Sequence, residues 1–228
     1  MARLAVLGAL LASAPAAAQH PIVLERLRTA DAAAPRPDDA TVVREILRAA
    51  GTLPGCRPKA ATLDAVTPAT GVRFVFMPIL TGQLRNAWTV AARHADCGAE
   101  PVRYTLVQQA DGSFYAVRTN RGQSFANESL IADTLPLATT LAVATLGRAG
   151  VACDAAAVGT LGTTRVVAQD RELGPDRFGV RYVGSWSEIW PVTACGRTVD
   201  VRIDFTADGD GGAYTKLPGD QARVLPGP

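Results

Sequence analysis

The sequence predicts an α+β protein of two similar modules, an internal duplication in which each copy packs a helix on a small antiparallel sheet. Three observations carry that prediction. Strand-like alternation follows helix-like periodicity twice; four cysteines stand at matched distances; and one order of landmarks is written twice, about a hundred residues apart. "HADCGAEPVRYTLVQQADGSF" at 94–114 and "TACGRTVDVRIDFTADGDGGAY" at 193–214 both run Cys-Gly, alternating strand, Asp-Gly, aromatic.

Residues 1–18 form the first segment. Met1 to Arg3 are a short positive start, Leu4 to Ala12 an apolar run, and Ala16 and Ala18 a small-residue cleavage pattern. That combination is a secretory signal peptide, and its apolar run falls short of the roughly 20 residues a membrane span needs. The segment is therefore set aside from the fold. No cysteine stands directly after the cleavage point, which argues against a lipid anchor, and no later stretch is expected to span a membrane, so the mature chain is expected in the periplasm or outside the cell.

Residues 19–38 are expected to be an arm and linker, because Pro35 and Pro37 stop a helix there. A short strand or helical turn at Pro21 to Leu27 would dock Ile22, Val23 and Leu24 on the body.

The first module spans 39–120. "DDATVVREILRAAG" carries an Asp or Thr cap, apolar positions Val42, Val43, Ile46, Leu47 and Ala50 at helical spacing, and Gly51 as a stop. The second spans 121–228. Its helix is expected to start at Asp133 or Thr134 with Pro136 in the first turn and to end at Gly150, with Leu137, Leu141, Ala144 and Thr145 facing inward. After each helix come Cys56 or Cys153 and then β-rich stretches: "ATLDAV" and "GVRFVFMPIL" in one copy, "TTRVVAQ" and "DRFGVRYVGSW" in the other. Trp88 precedes Cys97, and Trp186 precedes Cys195, by nine residues. Gly98 and Gly196 permit a sharp bend. Val102, Tyr104 and Leu106 then match Val199, Val201, Ile203 and Phe205 as inward positions.

Cysteines in an exported chain are expected to pair, and the repeat selects Cys56 with Cys97 and Cys153 with Cys195. Each bridge closes a loop of about 40 residues, worth on the order of 4 kcal/mol by chain entropy. No Cys-X-X-Cys is present, and His20 and His94 fit no ligand spacing, so neither a metal nor another cofactor is expected.

The net charge is +2, with 23 basic residues against 21 acidic and no basic run. That balance argues against nucleic acid as a partner. Gly122 to Ala126 resembles a nucleophile elbow around Ser124 but lacks the closing glycine. His94 beside Asp96 reads as a surface histidine. Asp204, Asp208 and Asp210 hint at calcium, but an Asp-Gly turn explains the same residues.

Tyr182, Trp186 and Trp190 form the candidate binding site. Strand alternation puts the two tryptophans on one face, as an exposed aromatic shelf, against the competing reading of a core plug. The function expected is a non-catalytic binding or interaction protein engaging an envelope protein or polymer through this shelf or a sheet edge. The alternatives are a secreted hydrolase with carboxylates between the modules, or a proteinase inhibitor presenting a disulfide-held loop. Oligomeric state is not legible in the sequence.

Overall fold

The computed structural model describes residues 21–51, 56–98 and 100–226, and the expected signal peptide lies outside them. Helix α1 (Pro21–Ala33) occupies most of the expected arm. It seats Leu27 in the interior, and Asp31 and the Ala34 carbonyl accept from the buried Asn86 amide. The side chains of Ile22, Val23 and Leu24, expected to dock here, lie outside the described residues. Only the Pro-Arg-Pro stretch after Ala34 is a linker.

Helix α2 (Asp39–Ala50) matches its expected bounds, with Asp38 accepting from the Thr41 amide and Gly51 closing it. Val42, Ile46 and Ala50 are buried, while Val43 and Leu47 are only partly so. Strands β1 (Thr62–Pro68), β2 (Leu84–Arg93), β3 (Pro101–Gln109) and β4 (Phe114–Gly122) form an antiparallel meander. Trp88, Val90, Val102, Tyr104 and Leu106 meet α2 on one face of it. The segment "GVRFVFMPIL" is a correction, because Arg73–Leu80 is helix α3 rather than strand. A continuous apolar run does not distinguish the two by periodicity. Here the alternation needed by a strand never develops: Val75 is buried while Phe74 and Met77 are more than half exposed.

The second half begins with α4 (Glu128–Arg148), capped by Asn127, whose side chain accepts from Leu130 N. This start lies earlier than Asp133, so Pro136 is inside the helix and not in its first turn. The inward stripe is also corrected: Ala138, Ala142, Thr145 and Leu146 are buried, whereas Leu137 and Ala144 face out. The physical reason is volume. Trp186, Trp190 and Phe205 fill the sheet side of this core, with Trp186 stacked on Phe205 at 5.1 Å, so the helix presents small side chains to them. By length and composition α4 could also cross a membrane, contrary to expectation, but its buried face packs on the sheet.

After α4 come β5 (Thr160–Leu161), β6 (Thr163–Gln169), β7 (Ser185–Ala194), β8 (Arg197–Ala207), β9 (Ala213–Lys216) and β10 (Arg223–Val224). "DRFGVRYVGSW" is corrected as well. Residues 176–184 are a loop holding one isolated bridge, Arg177 to Val180, and Phe178 and Gly179 have positive φ, which breaks strand geometry. The alternation predicted for β3 and β8 stands: all seven inward residues are buried.

Two disulfides, Cys56–Cys97 and Cys153–Cys195, link each half internally, both with Cα atoms 5.6 Å apart. Such bridges fit an oxidising compartment outside the cytosol. His94 is a correction. It is buried rather than on the surface, with Nδ1 against the Ala60 carbonyl, and the tautomer this selects accepts the Tyr104 hydroxyl at Nε2 (2.6 Å). Burial pushes the Tyr104 phenol up to about 12, so it keeps its proton across ordinary pH.

The two meanders join in one sheet of order β1-β2-β3-β4-β6-β7-β8-β10. Their junction is a parallel pair only two residues long, Arg121 with Thr163 and Gly122 with Thr164. Gly122 sits there at φ +83°, and a Cβ would lie 2.1 Å from the Thr164 carbonyl oxygen. Gly122→Ala is therefore expected to lower stability by about 2–5 kcal/mol, from positive-φ strain plus overpacking against backbone. Urea unfolding measures this, and a loss under about 0.5 kcal/mol, the scale of an ordinary surface change, would show that the junction does not constrain the fold.

Candidate functional site

Trp186 and Trp190 do share a face of β7, but that face is the buried one, at 2% and 0% exposure. Their exposure is thus a correction: they belong to the core under α4. Between them the same face carries Glu188, which is fully buried and which sequence reasoning missed. Its Oε1 accepts from the Phe125 amide (2.7 Å), the Ala126 amide (3.2 Å) and the Trp186 indole (2.9 Å). Its Oε2 accepts from the Ser124 hydroxyl (2.7 Å) and the Trp190 indole (2.8 Å). The signal was present as Trp-x-Glu-x-Trp, a carboxylate in the middle of an inward-facing row, which a strand tolerates only when donors surround it. Tyr182 is elsewhere, on the 176–184 loop beside the cluster of Ala69, Val72, Val75 and Val107. The three aromatic residues are not brought together.

Ser124 serves the Glu188 network, and the one described histidine, His94, is committed to Tyr104 and Ala60, so the two make no nucleophile pair. Asp208 accepts from the amides of Asp210 and Gly212 within its own turn, as a hairpin requires. Among the described residues no cluster of three metal-ligating side chains occurs.

What the fold does leave open is a groove on the face of the first meander away from α2. Thr105, Val107, Tyr115 and Val117 point there because alternation sends Tyr104, Leu106 and Ala116 to the α2 side. One wall is α3, through Phe74, Val75 and Pro78; the other is the first turns of α4, through Glu128 and Ile131. The cavity holds about 480 Å³. Phe74 and Val117 are about half exposed at its rim and Tyr115 nearly so. Uncovered apolar surface gathered around a concavity is the usual form of a binding site, which makes this groove the candidate.

Glu128 supplies the groove's acidic group. Its Oε1 accepts from the Thr105 hydroxyl at 2.5 Å, while Oε2 is buried with no hydrogen-bond partner. A buried acceptor left without a donor is an opening for a ligand that carries one. Glu128 was missed because the start of α4 was expected a turn and a half further on.

Behind this point lies a polar cluster. Arg103 donates to the carbonyls of Ser124 and Ala126, and Arg181 stacks over the Phe125 ring at 4.3 Å. Asp176, which accepts from Gly179 N at 2.8 Å, has its carboxyl raised above the usual aspartate range chiefly by burial. The Glu128 charge adds to that rise, and Arg181 and Arg103 oppose it.

Two outcomes follow. Glu188→Gln places an NH₂ against at least one indole N–H, a group that only donates, and is expected to reduce stability by about 2–4 kcal/mol in denaturant unfolding; an unchanged midpoint would show that the five bonds are not what holds β7 to residues 124–126. For Asp176 the raised folded-state pKa means its contribution to stability is fully present below the ordinary value of 3.8 and is lost as pH rises through the elevated one. Asp176→Asn should therefore gain on the wild type in thermal stability as pH rises above 3.8, and a difference that stays constant would contradict the shift. No family model matches the chain, and neither a curated protein nor a solved structure matches it.

Proposed function

We propose that this is an exported, non-catalytic binding protein, made of two copies of one disulfide-stapled module, whose site for an envelope protein or polymer is the groove between α3, β3–β4 and α4. The observation that carries the reading is the groove itself: apolar, wide enough for side chains, and rimmed by Phe74, Tyr115 and Val117 in contact with solvent. Export is supported by the signal-peptide pattern at 1–18 and by the two disulfides.

Duplication is supported by local geometry. Apart from α3 inserted in the first half and the two-residue β5 in the second, each half runs helix, cysteine, strand, strand, cysteine, strand, strand, and β1–β2 and β6–β7 both carry a register shift. Trp88 pairs with Leu106 and Trp186 with Phe205, each tryptophan under its own helix. The second copy is turned over relative to the first, so α4 reaches the sheet face that α2 leaves bare. The groove is the space between them.

A hydrolase reading has one observation in its favour, the raised carboxyl of Asp176 near Glu128. Asp176 does not line the groove, however, and Arg181 and Arg103 sit around it.

The experiment is retrieval of partners from envelope extract with the mature chain. Wild type and Tyr214→Ala, which changes an exposed residue of β9, are expected to retain the same partner. Val117→Glu, which puts a charge on the groove wall, is expected to lose it at least tenfold. Equal retrieval by all three proteins would rule the groove out as the site.

A further inference from the structure

We infer that the groove takes an extended polypeptide strand of another protein, which adds to the open edge of β4 and drops alternate apolar side chains between Tyr115, Val117 and Ile131. This rests on the groove being the binding site and names what fills it.

The edge comes first. β4 pairs with β3 along its length, but with β6 only at Arg121 and Gly122, so its earlier residues have no strand on the other side. The hairpin fixes which backbone groups face that side. Gln109 N donates to Ser113 O, and antiparallel pairs alternate, so Tyr115 and Val117 direct their N–H and C=O groups to β3. Phe114 and Ala116 direct theirs to the open edge. Each presents one donor and one acceptor at the spacing a further strand matches.

The other outer edge of this meander shows what a guarded edge is like. β1 carries a register shift at Leu63/Ala65, the charged Asp64 paired with Arg93, and Pro68 at its end. These devices discourage pairing with another chain. Phe114 to Val117 has no proline and no charge. An apolar edge left unguarded beside an apolar groove is an aggregation hazard unless a partner covers it.

The groove completes the fit. Side chains on one face of an added strand would point the same way as Tyr115 and Val117, into the space bounded by Phe74, Ile131 and Val107. On its far side that space is walled by α4 through Glu128 and Ile131, so an added strand would lie between β4 and α4. At its end the unpartnered Glu128 Oε2 asks for a hydrogen-bond donor. The strand is thus specified as alternating apolar positions followed by one donor-bearing side chain.

The test uses the mature chain and a phage-displayed library of random decapeptides. Enriched peptides are expected to alternate apolar with polar residues, and the best of them, made synthetically, should bind with fluorescence anisotropy as the readout. N-methylation of the peptide's alternate amides should weaken binding at least tenfold in one register and little in the other, which requires no change to the protein. Ala116→Pro, which removes an outward N–H, should weaken it similarly while near-UV circular dichroism stays native. With Glu128→Leu, enrichment for the donor residue should vanish and the alternation persist.

Equal tolerance of N-methylation in both registers would overturn strand addition, and binding that still fell with Val117→Glu would leave the groove as the site. No enrichment at all, together with unchanged partner retrieval by Val117→Glu, would overturn both. A dimer in sedimentation that Ala116→Pro dissociates would make the occupant a second copy and overturn the proposal.

Discussion

The carboxylate of Glu188 is the contact on which the second half of the molecule is organised. A charge-bearing group placed at 0% exposure is strongly unfavourable unless donors replace its water, and five do so here. Those donors come from three places: two indoles on its own strand, two backbone amides, and a hydroxyl from the turn before α4. The network thereby ties β7 to the residues that set the helix's starting point. Asn127, directly after them, caps α4, so the position of that helix follows from the position of the carboxylate. Directional bonds of this kind specify one arrangement where an all-apolar core would admit several.

The sequence made β3, β8 and the sulfur bridges legible and left the groove hidden, for reasons that differ by element. β8 alternates because one face is buried and the other only partly so, and period-2 patterning records that directly; β3 has the same inward row, but Thr105 and Val107 on its other face are buried too, against α4 and α3. α2 announced itself by Asp38 and Gly51. α3 did not, because Arg73 to Leu80 is apolar almost throughout and its burial is decided by neighbours. Pro136 suggests a first turn and so a late start for α4, whereas the Asn127 cap begins the helix about a turn and a half earlier. The shelf of Trp186 and Trp190 was right in its face and wrong in its exposure, since alternation tells which residues share a side but not which side meets water. Phe74 on α3 and Glu128 on α4 belong to elements remote in sequence, and no single-chain pattern brings them together.

The groove exists because the two halves face opposite ways. Had the second meander continued the first in the same orientation, α4 would lie on the face of α2, and Thr105, Val107 and Val117 would form an open surface with α3 as its one wall. Turning over sets α4 on the uncovered face and lets the 176–184 loop close on it, where Gly71 N donates to the Phe178 carbonyl at 2.8 Å. Gly179 permits that approach, since a Cβ there would lie 2.6 Å from a Val72 methyl carbon. The junction at Gly122 is what makes such an orientation available, as the point where antiparallel order gives way to parallel.

The placement of the sulfur atoms along the chain bears on how it matures. Cys56 and Cys97 precede Cys153 and Cys195, and both bridges join consecutive cysteines. For a chain threaded amino end first into an oxidising space, the earlier couple arrives and reacts before its later counterparts emerge. Simple order of arrival then yields the native connectivity, and enzymes that reshuffle mispaired thiols have little left to correct.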